Sequence, residues 1–255
     1  MNSLKDKIVF ITGASSGIGK ACANRFSNAG SKLVLCARRF ERLQKLADEL
    51  KTECHIFQLD IRQETAVEKA LRALPEKWQS IDILVNNAGL SQGLDKIYEG
   101  DSTDWNTMID TNIKGLLYIS REIIPGMVKR GRGHIINIGS IAGHEVYPGG
   151  NVYCATKYAV KAINKGMMLD LVETPVRVTS VDPGLVETEF SEVRFHGDTR
   201  RAETVYRGYK PLSGDDIADA VVWAASRPEH VNIAEIIVLP KAQASCTIVH
   251  KKLNK

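Results

Sequence analysis

No apolar run in the 255-residue chain approaches the roughly 20 residues that a membrane-spanning helix needs, so a helical membrane protein is excluded. Cysteine is sparse and irregular: Cys22, Cys36, Cys54, Cys154 and Cys246 are odd in number and form no CxxC or Cys/His ligand spacing. That pattern argues against a disulfide scaffold or a zinc site, predicts no bound metal, and fits thiols kept reduced in a cytoplasm. Charge of one sign is missing as well. The 34 basic and 30 acidic residues give a net charge of +4, and they interleave without any basic block longer than pairs such as Arg38-Arg39. Such a surface offers little to nucleic acid or acidic membranes. There is no Pro/Gly/Ser linker, no internal repeat and no low-complexity tract. The opening MNSLKDKIVF does not read as a signal peptide, and the closing KKLNK matches no common retention or peroxisomal signal. The expectation is a cytoplasmic protein forming a single domain over residues 1–255, its first half binding a nucleotide and its second half binding substrate.

What is present is alternation. KIVFIT, KLVLCA, CHIFQL, DILVNN, GHIINIGS, VRVTSV and AEIIVL are Val/Ile-rich runs of strand length. Helical periods fall between them, most plainly over 40–51, where Phe40, Leu43, Leu46, Ala47 and Leu50 share one face. Repeated βα units joined by right-handed crossovers predict a doubly wound α/β fold, a parallel seven-stranded sheet flanked by helices. Residues 183–213 have no strong strand character and are expected to form a lid, since long connections in compact domains are usually functional or mobile.

The first strand runs into TGASSGIG, residues 12–19, which opens a helix. Gly13, Gly17 and Gly19, with Ser15, Ser16 and Ile18 between them, permit a tight turn whose backbone N–H groups face a pyrophosphate. At the end of the second strand a dinucleotide site for NAD would carry Asp or Glu, and here the sequence is CARR. Arg38 and Arg39 either pair with the additional phosphate of NADP or stand solvated at a helix start beside Glu41. Two cations at a helix N-terminus oppose its dipole, which favours an external anion. Further on, Tyr153 and Lys157 in NVYCATKYAV lie one helical turn apart, either a reaction centre or an exposed pair. Ser140, thirteen residues before Tyr153, ends a strand where parallel sheets place their ligands.

TGASSGIG, CARR, Asp60-Ile61, NNAG at 86–89, Asn112, Ser140, YCATK and DPG at 182–184 together resemble the short-chain dehydrogenase/reductase family over residues 7 to about 190. IDILVNNAGL, TMIDTNIKGL, GGNVY, VRFHGD and PEHVNI bring it nearest to the NADP-dependent serine and 3-hydroxy acid dehydrogenases of that family. The resemblance implies a Rossmann-like domain, NADP as cofactor, a homotetramer joined through helices near 104–130 and 152–173, and a catalytic set of Asn112, Ser140, Tyr153 and Lys157. In that set Tyr153 exchanges the substrate proton and Lys157 favours its phenolate and holds the nicotinamide ribose. Ser140 holds the substrate oxygen, and Asn112 holds a water that connects Lys157 to solvent. By the same resemblance Asp60 and Ile61 meet the adenine, and Asn86, Ala88 and Gly89 meet the ribose. Pro183, Gly184, Val186 and Thr188 would shape the nicotinamide pocket. For a substrate carboxylate the candidate is Arg194, the alternative being a lid arginine paired with Glu192 or Asp198. Gln92, His144 and Asn151 rank below it. A broader carbonyl, sugar-alcohol or 3-ketoacyl reductase is the competing enzyme reading, and an NADP-sensing regulator the competing non-enzyme one.

Overall fold

The computed structural model describes residues 3–252. All seven expected strands form: β1 (Ile8–Thr12), β2 (Lys32–Ala37), β3 (Cys54–Gln58), β4 (Ile83–Asn86), β5 (Gly133–Ile138), β6 (Val176–Pro183) and β7 (Glu235–Val238). They make one sheet in the order β3-β2-β1-β4-β5-β6-β7, every pair parallel. Because side chains alternate along a strand, each central strand feeds two cores. Val9 and Ile11 of β1 enter one, with Leu33, Leu35, Val85 and Ile138. Ile8 and Phe10 enter the other, with Val34, Leu84, Ile135 and Val178.

The first core is covered by α1 (Gly17–Asn28), α2 (Phe40–Glu49) and, later in the chain, α9 (Gly214–Ala225). Cys22, Ala23 and Phe26 of α1 meet Ile217, Ala218 and Val221 of α9 there, all fully buried. Burying one such Phe contributes about 1.5–3 kcal/mol. A capping box starts α9, in which Ser213 Oγ accepts from Asp216 N and the Asp216 carboxylate accepts from Ser213 N. The second core is covered by α3 (Glu64–Arg72), α5 (Leu116–Arg130) and α6 (Asn151–Asp170), through Val67, Leu71, Ile119, Met127, Val160 and Met167.

Two expectations are corrected. The helix expected across 104–130 is interrupted: α4 (Ser102–Ile109) gives way to one wide π-helical stretch, Asp110–Gly115, before α5 begins. That stretch ends at a close approach, since a Cβ on Gly115 would lie 2.5 Å from Ile61 Cδ1. The lid segment 183–213 is not a loop either. It holds α7 (Phe190–Arg194) and α8 (Thr199–Tyr206), the latter capped by the Asp198 side chain on Arg201 N. Among the described residues no helix is long and apolar enough to cross a membrane.

Strand order reverses between β1 and β4, so the crossovers on either side diverge and leave a crevice beyond the strand C-termini. Thr12, Asn86, Ile138 and Pro183 end their strands at that edge.

Candidate active site

A cavity of about 480 Å³ fills this crevice and runs from Gly13, Arg38 and Asp60 at one end to Ser140, Tyr153 and Arg194 at the other. At the first end the backbone is bare by necessity. Gly13 has φ +66°, and a Cβ there would stand 2.9 Å from Ala88 Cα. Ser16 occupies the N-cap of α1, yet its side chain makes no capping bond and the first turn holds no acidic residue. Its hydroxyl accepts instead from Arg39 Nη2 at 2.8 Å. The N–H groups at the head of α1 are therefore left to an external acceptor, which fits a pyrophosphate. Ser15, Ser16, Gly17, Ile18, Arg38, Arg39, Asp60, Ile61, Ala88 and Gly89 all line the cavity.

Two cofactor expectations change. Gly19 faces away from the cavity and lets α1 pass the first turn, since its Cβ would lie 2.5 Å from Gly13 O. Asn86 is buried behind the sheet, where its amide donates to Ser120 Oγ and Asn137 Oδ1 at 3.0 and 2.9 Å. Asn87 lines the cavity in its place and pins the glycine turn, donating to Thr12 O at 2.8 Å and Gly13 O at 3.2 Å. Strand alternation carries that signal: Asn86 shares parity with Leu84, which points into the second core. The Asp60 carboxylate accepts from Arg62 Nε and Nη2, and that guanidinium is the main influence holding it below the usual carboxylate range. A carboxylate offers about four acceptor positions, so the Arg62 fork leaves capacity for an amino group.

At the other end Tyr153, in the first turn of α6, is 7% exposed and lines the cavity with Ser140 and Lys157. Ser140 is held by its place after β5, its hydroxyl accepting from Ala142 N at 3.1 Å and donating to Pro183 O at 3.5 Å. The Lys157 ammonium donates to Ile138 O at 2.9 Å and lies 5.9 Å from the Tyr153 ring centroid. Burial lowers its pKa to about 8, with the Asp182 carboxylate opposing the shift. Burial raises the Tyr153 pKa, while the Arg194 guanidinium and a hydrogen bond from Ser140 pull it back down. The cation facing the Tyr153 phenol is thus Arg194 as well as the expected lysine.

Arg194 reaches in from α7. Its Nε donates to Ser91 Oγ at 3.1 Å and its Nη2 to Tyr147 Oη at 2.8 Å. The guanidinium carbon stands 5.7, 5.3 and 5.1 Å from the Tyr147, Tyr153 and Phe190 ring centroids. Among the described residues no carboxylate pairs with it; Asp198 is occupied in capping α8. Tyr147, Phe190, Gln243 and Cys246 complete this end of the cavity. Sequence reasoning missed all four: Tyr147 stands in a short connection, Phe190 opens the five-residue α7, and Gln243 and Cys246 lie in a polar tail without periodicity.

Asn112 does not reach the cavity. Its amide is buried and held by Leu90 N, Leu90 O and Thr156 Oγ1 at 2.8–3.0 Å, tying the strand β4 exit to α6. The side chain of Asn112 therefore braces these segments, with one acceptor position on Oδ1 still open. Gln92 and Asn151 line a separate, smaller hollow. His144 stands behind the site, where Nε2 donates to Asp182 Oδ2 at 2.6 Å and Nδ1 accepts from Lys161 Nζ at 2.7 Å. His144, Asp182 and Glu235 bring ligand-type atoms within 4.8 Å of one another. Lys161 Nζ, 3.6 Å from Glu235, already supplies the cation there.

Residues 7–198 match the family model described as short chain dehydrogenase. The chain belongs to the short-chain dehydrogenase family. Within this family it is 48% identical over 247 residues to an NADP-dependent 3-hydroxy acid dehydrogenase, YdfG, of Escherichia coli (strain K12), which covers 96% of this chain and 100% of that protein. The NADP-dependent 3-hydroxy acid dehydrogenase of Schizosaccharomyces pombe is 40% identical, with 99% of each chain covered. Among solved members, the closed form of a serine dehydrogenase complexed with NADP+ superposes with a TM-score of 0.92 at 48% identity, over 96% of this chain and 100% of that one. A serine dehydrogenase from Escherichia coli gives a TM-score of 0.82 at 44% identity, over 93% and 99%.

Proposed function

We propose that the protein is an NADP-dependent dehydrogenase that oxidises the 3-hydroxyl of small 3-hydroxy acids, with L-serine, L-allo-threonine and 3-hydroxyisobutyrate as substrates. The observation that carries the substrate class is Arg194: a guanidinium in the cavity, beside Tyr153, with no carboxylate partner among the described residues. A partly buried cation lacking a counter-charge is costly, and a substrate carboxylate supplies that charge with bidentate geometry. The relatives named NADP-dependent 3-hydroxy acid dehydrogenase support the same reading.

NADP, when bound, supplies the hydride acceptor. The bare N-terminus of α1 would hold its pyrophosphate and Arg38 and Arg39 its 2′-phosphate. Arg194 fixes the substrate carboxylate, which sets the 3-hydroxyl against Ser140 and Tyr153. Ser140 donates toward the oxygen on which charge changes, and Tyr153 accepts the hydroxyl proton as general base. Lys157 keeps a positive charge beside the phenol and, anchored on Ile138 O, presents its remaining protons to the cavity. We place the chain in the cytoplasm as a homotetramer. The exposed Leu117 on α5 and Tyr158 and Leu169 on α6 are apolar surface that such packing would cover.

A panel of L-serine, L-allo-threonine, 3-hydroxyisobutyrate and neutral secondary alcohols, each with NADP and with NAD, tests this directly. Reduction of NADP by the acids in strong preference to the neutral alcohols is the expected result; turnover of neutral alcohols or ketoesters without any on 3-hydroxy acids rejects it. In Tyr153→Phe turnover should vanish while NADP binding persists, because the ring keeps its packing and loses only the hydroxyl that exchanges the proton.

A further inference from the structure

Three arginines stand where β2 meets α2, and one acidic residue from the opposite wall of the cavity has claimed two of them. Glu189, at the N-cap of α7, accepts from Arg39 Nη1 at 2.8 Å and from Arg42 Nη1 at 2.5 Å. Arg39 also donates to Ser16 Oγ at 2.8 Å, at the head of α1. Ser16, Arg39 and Glu189 line the cavity with Arg38, at the end where an anion would meet Arg38 and Arg39. Burial pushes the Glu189 pKa up, but the hydrogen bonds from Arg39 and Arg42 outweigh it, so the carboxylate stays ionised.

We propose that Glu189 is an internal competitor for the 2′-phosphate of NADP, an affinity-setting residue that occupies Arg39, one of the two guanidinium groups the phosphate needs. The inference rests on the cofactor reading above. A 2′-phosphate carries about −1.5 to −2 charges near neutral pH by analogy with other phosphate monoesters, and Glu189 carries one. Arriving between Arg38 and Arg39, the phosphate either displaces Glu189 from Arg39 or stays beside a like charge. Both outcomes weaken NADP binding relative to a neutral side chain, and neither touches a cofactor that lacks the phosphate. A dehydrogenase that must release its reduced cofactor each cycle gains turnover from such weakening, because release is often the slow step. The same carboxylate sits one residue after Thr188, whose side chain lies 3.4 Å from where a Cβ on Gly17 would stand, so segment 183–213 meets the phosphate end at this ion-pair cluster.

The test is equilibrium binding by calorimetry, with wild type and Glu189→Gln titrated with NADP, NAD, adenosine 2′,5′-bisphosphate and 5′-AMP. The pairs are about 40% exposed, so the expected change is modest, about three- to tenfold. Glu189→Gln should bind NADP and the bisphosphate more tightly by that factor and bind NAD and 5′-AMP as the wild type does. Equal or weaker binding of both 2′-phosphate ligands overturns the proposal and makes Glu189 an organiser of the arginines. A uniform gain for all four ligands also overturns it. A wild type that does not prefer NADP to NAD overturns the cofactor reading together with this one.

Discussion

The Arg194 guanidinium carbon stands 5.3 Å from the Tyr153 ring centroid, so the residue that binds substrate charge in our reading also faces the phenol that moves the proton. A cation over a ring face is held by the ring quadrupole, by about 0.5–2 kcal/mol depending on desolvation. The arrangement gives Arg194 two duties that substitutions separate.

Arg194→Ala should raise KM for L-serine and 3-hydroxyisobutyrate about 30-fold or more, the usual consequence of leaving a carboxylate without its charged partner. Turnover of a neutral alcohol analogue should fall far less. Arg194→Lys should recover only part of the loss, because one ammonium cannot serve Ser91 Oγ, Tyr147 Oη and a carboxylate in the fork geometry of a guanidinium. Equal loss on acids and neutral alcohols in steady-state kinetics would contradict the assignment.

Lys157→Met should abolish turnover and yet stabilise the fold. Burial takes the Lys157 pKa from an ordinary 10.5 to about 8, a penalty of about 3 kcal/mol on the charged form at pH 7. Methionine removes that penalty and forfeits one hydrogen bond to Ile138 O, worth about 1 kcal/mol, for a net gain of about 2 kcal/mol. Because the folded pKa lies below the unfolded one, the unfolded chain holds more protons between pH 8 and 10.5, and wild-type stability gains over that window. Denaturant titrations at pH 7 and pH 10 should therefore show the variant's advantage shrinking as pH rises.

The seven strands and their parallel, doubly wound sheet were legible in the sequence because buried parallel strands are continuous Val/Ile runs; the order of the strands across the sheet is set by the crossovers and was not read there. Ser140, Tyr153 and Lys157 were legible too, since strand end and helix spacing place them on the cavity. Asn86 misled because a buried amide and a cavity-facing amide look alike in one dimension; only the partners Ser120 and Asn137 tell them apart. His144 misled for a related reason, its ring being spent on Asp182 and Lys161. The substrate end was least legible, because Tyr147, Phe190 and Cys246 come from three distant segments that no local period connects.

Asp182→Asn should shift the alkaline limit of kcat/KM to lower pH. The carboxylate, 2% exposed, is the charge that opposes the fall of the Lys157 pKa. The groups around it are Ser180 on its own strand, His144 before α6 and Glu235 on β7, with Lys161 bridging the last two. Removing the anion leaves Lys157 to its burial, so the ammonium is lost below pH 8 and activity at pH 8 falls while activity at pH 6.5 is largely kept. Wild-type NADP affinity at pH 6.5 would show that the cavity is intact. An unmoved pH limit would mean that the two groups are not coupled.

Gly139→Ala should injure both fold and chemistry through a single methyl group. Gly139 lies between Ile138, whose carbonyl anchors Lys157, and Ser140, and its N donates to Val181 O at 2.9 Å. A Cβ there would fall 1.9 Å from Asp182 Oδ1 and 2.9 Å from its Cγ, distances real Cβ atoms essentially never show. Relief requires moving either the end of β5 or the buried carboxylate held by His144 and Ser180, and overpacking of this kind costs about 1–3 kcal/mol. If β5 moves, Ser140 and Lys157 move with it, and turnover should drop about tenfold or more. The contact predicts its own remedy: Asp182→Ala alone destabilises by losing the His144 pair, but in the Gly139→Ala background it also removes the clash. The two losses should therefore sum to less than their separate values by about 0.5–3 kcal/mol in denaturant unfolding. Strict additivity would place the strain somewhere other than between Gly139 and Asp182.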